Sequence, residues 1–217
     1  PAVTLDPVTQ THLLGLAAAT TAAFFWAISV TLYRRVGRLL PPIRLNFIKG
    51  VVASLCIGAY VLFDWLVLGH TPWALSLWML VLMALSGLIG IGLGDTLLFA
   101  GLNRMGARRM LLLFTINPVI TAVVAWLFLN EPLSGWQIVG VALTCAGVAW
   151  VIAERTTGKA DGHVDALGLI YGLGAASCEA AGVLLSRFVF EQGEITAASS
   201  AWLRVAAGSL VLFLFFP

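Results

Sequence analysis

Residues 73–102 read WALSLWMLVLMALSGLIGIGLGDTLLFAGL, thirty positions that contain a single charged side chain, Asp95. A helix of this length would measure about 45 Å, whereas the hydrocarbon core of a bilayer is about 30 Å thick. The segment is therefore predicted to cross a membrane, and it is too long for one untilted helix. The glycines at positions 87, 90, 92 and 94 predict a bend or a local unwinding within it.

The rest of the chain has the same apolar character. Hydrophobic residues make up 60% of the sequence and charged residues 10%, against about 25% charged residues in an average soluble domain. Further apolar segments of spanning length lie near 12–33, 44–66, 110–129, 136–153, 166–190 and 195–216. Because backbone groups in lipid must bond internally, seven spanning helices and an all-α, polytopic membrane bundle are predicted.

Basic residues are concentrated in every second loop. The loops after the first, third and fifth spans contain Arg34, Arg35, Arg38, Arg44, Arg104, Arg108, Arg109, Arg155 and Lys159, whereas the opposite loops contain only Arg187. Loops rich in arginine and lysine usually face the cytoplasm, which predicts an external N-terminus. The formal net charge of +2 gives no indication of a nucleic-acid partner.

The sequence contains an internal similarity. Residues 14–34 align with 167–187 at a constant spacing, and after a loop difference Leu45 and Gly50 align with Leu203 and Gly208. A repeated unit with an odd number of spans produces two halves of opposite orientation, as in many secondary transporters, with the substrate site where the halves meet.

This repeat predicts a division of the chain into three parts. Residues 1–153 are expected to form a first five-helix unit, residues 154–165 a polar linker, and residues 166–217 the first two helices of a second unit. The chain is then expected to be a fragment of a ten-helix protein.

A series of short motifs in the third to fifth spans resembles the EamA-type unit of the drug/metabolite transporter superfamily. The motifs are Leu93-Gly94-Asp95, Phe99-Ala100-Gly101-Leu102, Asn117-Pro118-Val119, Leu129-Asn130-Glu131-Pro132-Leu133, Gly140-Val141-Ala142-Leu143 and Ala146-Gly147-Val148. The resemblance implies a ten-span exporter or exchanger of a small metabolite or drug, located in the bacterial inner membrane or the plasma membrane. It does not fix the substrate. Many relatives are thought to have a cytoplasmic N-terminus, the opposite of what the arginines indicate here.

Two charged residues fall within the sixth and seventh spans at similar depth. Glu179 lies among small residues that allow close helix packing, and Arg204 lies on the next, antiparallel helix. Ionisable groups inside a membrane are costly, at about 2.5–3.5 kcal/mol on insertion scales, and often functional. Two interpretations stay open: a pair that lines the transport cavity, with Glu179 taking up a proton, or a structural ion pair that joins two helices.

Five further residues are candidates for the site. Lys49 and Asp95 fall near the same cytoplasmic end and could form a gate, or Lys49 could only extend towards the interface. Asn117 and Pro118 predict a kink in the fourth span that either faces substrate or is a packing feature. Trp26 aligns with the acidic residue of the sixth span and is a cavity candidate.

The sequence contains no pattern typical of an enzyme, a metal site or a cofactor site. Cys56, Cys145 and Cys178 lie in apolar runs without a CxxC spacing, and the three histidines are widely separated. The predicted partners are a small-molecule substrate and the lipid bilayer, and a homo-oligomer stays open. The alternative function is that of a non-transporting membrane receptor or scaffold.

Overall fold

The computed structural model of the protein describes residues 6–69, 73–129, 132–153, 166–192 and 194–215. The predicted linker 154–165 and the acidic position Glu131 lie outside these residues. The proposed division into two units therefore stays a prediction.

The described residues are almost entirely helical. The elements are α1 (Pro7–Val36), α2 (Pro42–Leu68), β1 (Trp73–Ala74), α3 (Leu77–Ser86), a π-helical segment (Gly87–Gly94), α4 (Asp95–Met105), α5 (Ala107–Phe114), α6 (Asn117–Leu129), α7 (Gly135–Ala153), α8 (Ala166–Gln192), β2 (Glu194–Ile195) and α9 (Ala197–Leu214). The predicted all-α membrane bundle is confirmed, and the chain is a multi-pass membrane protein.

Within the described part of the chain, six stretches of helix are long and apolar enough to cross a bilayer. They are His12–Val36, Pro42–Leu68, Leu77–Met105, Ala107–Leu127, Ala166–Gln192 and Ala197–Leu214. The predicted fifth span corresponds to α7, whose apolar part Gly135–Trp150 is shorter than the others. The third span begins later than predicted, because Trp73 and Ala74 belong to β1 and the helix starts at Leu77.

The glycine run changes the winding of the third span without interrupting it. The π-helical segment Gly87–Gly94, called the π segment below, continues directly from α3 into α4. A π-helix forms i→i+5 hydrogen bonds and is wider than an α-helix. The predicted irregularity is therefore present as a wider helix and not as an unwound one.

The π segment lies at the centre of the packing, against α8 and α9. Its contacts require small residues: a Cβ at Gly87 would collide with the main chain of Arg204, and a Cβ at Gly182 would stand 3.0 Å from the Cα of Gly90. Such close approaches of small residues are typical of helix contacts in membranes. In addition, α2 packs along α9 and α4 packs against α8.

The aromatic and aliphatic core lies beside this centre. Phe99 and Met110 are almost fully buried in a cluster that also contains Val30 and Ala175. The ring of Tyr33 meets Phe99 edge to face at 5.1 Å between centroids. These contacts attach α1 to α4 and α5, while the outward face of α1 is exposed, as expected for a surface in contact with lipid.

The two ends of the bundle are joined differently. At one end, the Nδ2 of Asn103 donates a hydrogen bond to the carbonyl of Gly37 at 2.9 Å, which brings together the arginine-bearing turns after α1 and α4. At the other end, β1 and β2 form an antiparallel ladder that pairs Trp73 with Ile195 and Ala74 with Glu194.

Candidate functional site

Glu179 on α8 and Arg204 on α9 lie within ion-pair distance of each other. The Nη2 of Arg204 is 3.8 Å from the Oε1 of Glu179, and the side chains are 17% and 30% exposed, respectively. The Nε of Arg204 is buried and has no hydrogen-bond partner among the described residues. A guanidinium has five N–H donors, so this arginine is only partly satisfied by the contact with Glu179.

Gly90 of the π segment lies directly against this pair. A Cβ at Gly90 would stand 3.1 Å from the Nη2 of Arg204 and 3.2 Å from the Oε2 of Glu179. Any larger residue would push against the two charged groups. The glycine-rich sequence of the π segment thus provides the space in which the pair lies.

Lys49 on α2 forms an ion pair with Asp95, the first residue after the π segment. The two side chains are about one-fifth to one-quarter exposed. The Nζ of Lys49 also lies 5.5 Å from the ring centroid of Phe99, a favourable arrangement for a cation over an aromatic face. An ammonium held between a carboxylate and a ring is engaged within the bundle and does not simply extend towards the interface.

Both ion pairs lie beside the π segment. Gly90 of that segment lies against Glu179 and Arg204, and Asp95 directly follows its last residue. Lys49, Asp95, Glu179 and Arg204 are called the charge network below. The sequence indicated two pairs, but not that both border the same glycine-rich segment, because position along a helix does not specify which helix faces meet.

Asn46 belongs to the same region, and the sequence analysis did not single it out. Its side chain is fully buried. Three acceptors share the two N–H groups of its Nδ2: the carbonyls of Ile91 at 2.8 Å and Gly92 at 3.1 Å, and the Oγ1 of Thr96 at 2.9 Å. One signal was available in the sequence. At the spacing of the internal similarity, Asn46 aligns with Arg204.

The other three candidates, Trp26, Asn117 and Pro118, lie away from the charge network. The helix is interrupted between α5 and α6, at Thr115 and Ile116, as the proline predicted. Next to this break the ring of Trp26 stacks on Phe114 at 6.0 Å. A cavity of about 470 Å³ is lined by Trp26, Leu111, Leu112, Phe114, Thr115, Asn117 and Pro118. No member of the charge network lines this cavity, so the predicted site residues fall into two groups.

Comparison with known proteins agrees with the membrane architecture. Residues 13–153 match the EamA-like transporter family. The uncharacterized transporter YvbV of Bacillus subtilis (strain 168) is 33% identical over 99 residues, which are 46% of this chain and 31% of that protein. The chain thus matches less than a third of that relative's length, and no solved structure matches it. The family match covers well over half of the chain, and the chain belongs to the EamA-like transporter family.

Proposed function

We propose that the chain is part of a secondary transporter that exports or exchanges a small metabolite or drug across the cell membrane and takes up a proton at Glu179. Membership of a transporter family supports transport over catalysis. The observation that carries the finer proposal is the charge network, since it places two carboxylates and two cations inside helices of membrane-spanning length.

Pairing lowers the free-energy cost of placing these charges inside a membrane. It also makes the arrangement of the pair depend on whether Glu179 is protonated. A charged group inside a membrane is costly unless it is paired. Protonation of Glu179 would remove the partner of Arg204 and leave an unbalanced positive charge beside the π segment, and breaking a buried pair in this way is strongly destabilising. The protonated and ionised forms would then favour different arrangements of the helices, and a shift between two such populations is what a coupled transporter requires.

The place of the network also supports this proposal. It surrounds a stretch of irregular helix, and irregular backbone within a membrane commonly lines a cavity or a substrate path. We further propose that the cavity beside Trp26 and Pro118 takes an apolar part of the substrate. Its lining residues are mainly aromatic and aliphatic, with Thr115 and Asn117 as polar contributions.

The test uses the natural full-length protein in liposomes with an imposed pH gradient and a panel of metabolites and drugs. Transport is expected to require the gradient and to fall about tenfold or more in Glu179→Gln, because the proton acceptor is lost and Arg204 is left unpaired. Glu191→Gln is the matched control. Glu191 lies on the same helix, is 56% exposed, and contacts Arg187 at 2.9 Å, so its neutralisation should leave transport unchanged.

A double variant separates the two interpretations of the pair. If Glu179 serves only to neutralise Arg204, then Glu179→Gln combined with Arg204→Gln should restore proton-driven transport. If Glu179 carries the proton, the double variant should stay uncoupled. A wild-type protein that moves no solute of a broad panel would favour the receptor or scaffold alternative.

A further inference from the structure

The end of the π segment poses a hydrogen-bonding problem. Where a helix changes from i→i+5 back to i→i+4 bonding, one carbonyl is passed over and receives no main-chain N–H. An unmet carbonyl among apolar helices is costly, since neither water nor lipid can satisfy it cheaply. In this chain the change occurs between the π segment and α4, at Gly94 and Asp95.

A neighbouring helix supplies the donor. The Nδ2 of Asn46, which lies on α2, reaches the carbonyls of Ile91 and Gly92 just before the change. The hydroxyl of Thr96 donates to the carbonyl of Gly92 as well, at 2.6 Å. Two side chains therefore supply hydrogen-bond donors to the carbonyls just before the change in winding.

The side-chain amide of Asn46 has an energetic cost at this buried position. Its Oδ1 is buried without a hydrogen-bond partner among the described residues. A leucine of similar size would avoid that penalty but would give up the bonds of the Nδ2. The stabilisation that Asn46 provides must therefore come from its contacts with the π segment.

These contacts connect directly to the charge network. Lys49 lies one helical turn after Asn46 on the same face of α2, and it binds Asp95, the residue that follows the π segment. Arg204 contacts the same segment at Gly87 and Gly90. The winding of the segment thus determines where Asp95 stands relative to Arg204.

We propose that Asn46 is a positioning residue, whose side-chain amide stabilises the π winding of Gly87–Gly94 and so keeps Asp95 in register with Lys49 and with the Glu179–Arg204 pair. The consequence for transport rests on the proposed function. The effect on the winding does not, and it can be measured separately.

Cys178 provides that separate measurement. The Cβ of Cys178 would stand 3.2 Å from a Cβ placed on Gly94, so its thiol reports on the end of the π segment. In full-length protein in which every cysteine other than Cys178 is replaced by serine, Asn46→Leu is expected to change the rate of Cys178 labelling by a small maleimide. The expected change is about fivefold, roughly the population change that corresponds to one hydrogen bond.

Asn103→Leu is the matched control. It removes an amide-to-carbonyl bond of the same kind, the one to Gly37, between the turns at the end of the bundle. The labelling rate of Cys178 should stay unchanged. If Asn46→Leu does not fold, Asn46→Ala replaces it, because alanine is smaller than asparagine and its side chain cannot donate a hydrogen bond.

The transport assay then tests the link to function. A change in Cys178 labelling together with a shifted pH profile of transport, in the Asn46 variants and not in Asn103→Leu, supports the proposal. Unchanged Cys178 labelling in a folded Asn46 variant would overturn it. Altered labelling with an unaltered pH profile would overturn the positioning role in transport. If the wild type transports nothing, the proposed function fails while the labelling experiment still decides whether Asn46 stabilises the winding.

Discussion

Gly87 has no room for a side chain, because a Cβ there would collide with the main chain of Arg204. A Cβ at Gly147 of α7, by contrast, would meet no other atom within 4 Å. Gly87→Ala should therefore lower the free energy of unfolding by about 1–3 kcal/mol, the usual cost of overpacking. Gly147→Ala should raise it by up to about 1 kcal/mol, since alanine is the better helix former. Thermal unfolding in detergent measures both, and equal effects would contradict the packing described here.

Single residues also show how much of the candidate site could be predicted from the sequence. Lys49, Asp95, Glu179 and Arg204 could be found because a charge in an apolar segment is conspicuous and costly. Their grouping into two pairs was suggested by their depth along the helices. That both pairs border the same glycine-rich segment could not be predicted, since it depends on how the helices turn towards one another. Asn46 carries no charge, so its importance depends on contacts that only the folded chain reveals.

At the scale of elements, the sequence predicted which helices exist better than how each helix is wound. The spans were visible from length and apolarity, and the break before α6 from Pro118. The glycine run indicated irregularity but not its type, because a π-helix differs from an α-helix only in which carbonyl each N–H bonds. The strands β1 and β2 were not predictable, since two residues are too short to show an alternating pattern.

The ladder between β1 and β2 makes a prediction of its own. Ala74 and Glu194 are direct partners in an antiparallel pair, and such partners have Cα atoms about 4.5–5.5 Å apart, within the range of a disulfide. In a cysteine-free background, Ala74→Cys with Glu194→Cys should form a cross-link on oxidation, visible on a non-reducing gel. The bond should stabilise the protein by about 2–4 kcal/mol.

The control for the ladder moves one of the two introduced cysteines by two residues. Ala74→Cys with Thr196→Cys would place the thiols on diagonal positions, about 7–8 Å apart in a regular ladder. This pair should cross-link poorly. Equal cross-linking of both pairs would show that the register is not the one in the structure.

At the scale of the whole molecule, the contact between α2 and α9 bears on the predicted inverted repeat. Gly50 lies against Ser209, and the rings of Phe47 and Phe213 lie 6.0 Å apart. At the repeat spacing Gly50 corresponds to Gly208, so the two equivalent helices cross close to equivalent positions. A twofold relation between halves of opposite orientation would produce such a crossing, which supports the repeat while leaving it a prediction.

The orientation of the bundle is a property of the whole molecule as well. The arginine-bearing turns lie at one end and the ladder of β1 and β2 at the other, so one external label distinguishes the two ends. In a cysteine-free background, a membrane-impermeant maleimide added to intact cells should label Ala74→Cys but not Leu39→Cys, whose parent side chain is 83% exposed. Permeabilised cells should show labelling at both positions. Labelling of position 39 alone in intact cells would place the N-terminus in the cytoplasm, and the arginines would then lie on the side that the positive-inside rule disfavours.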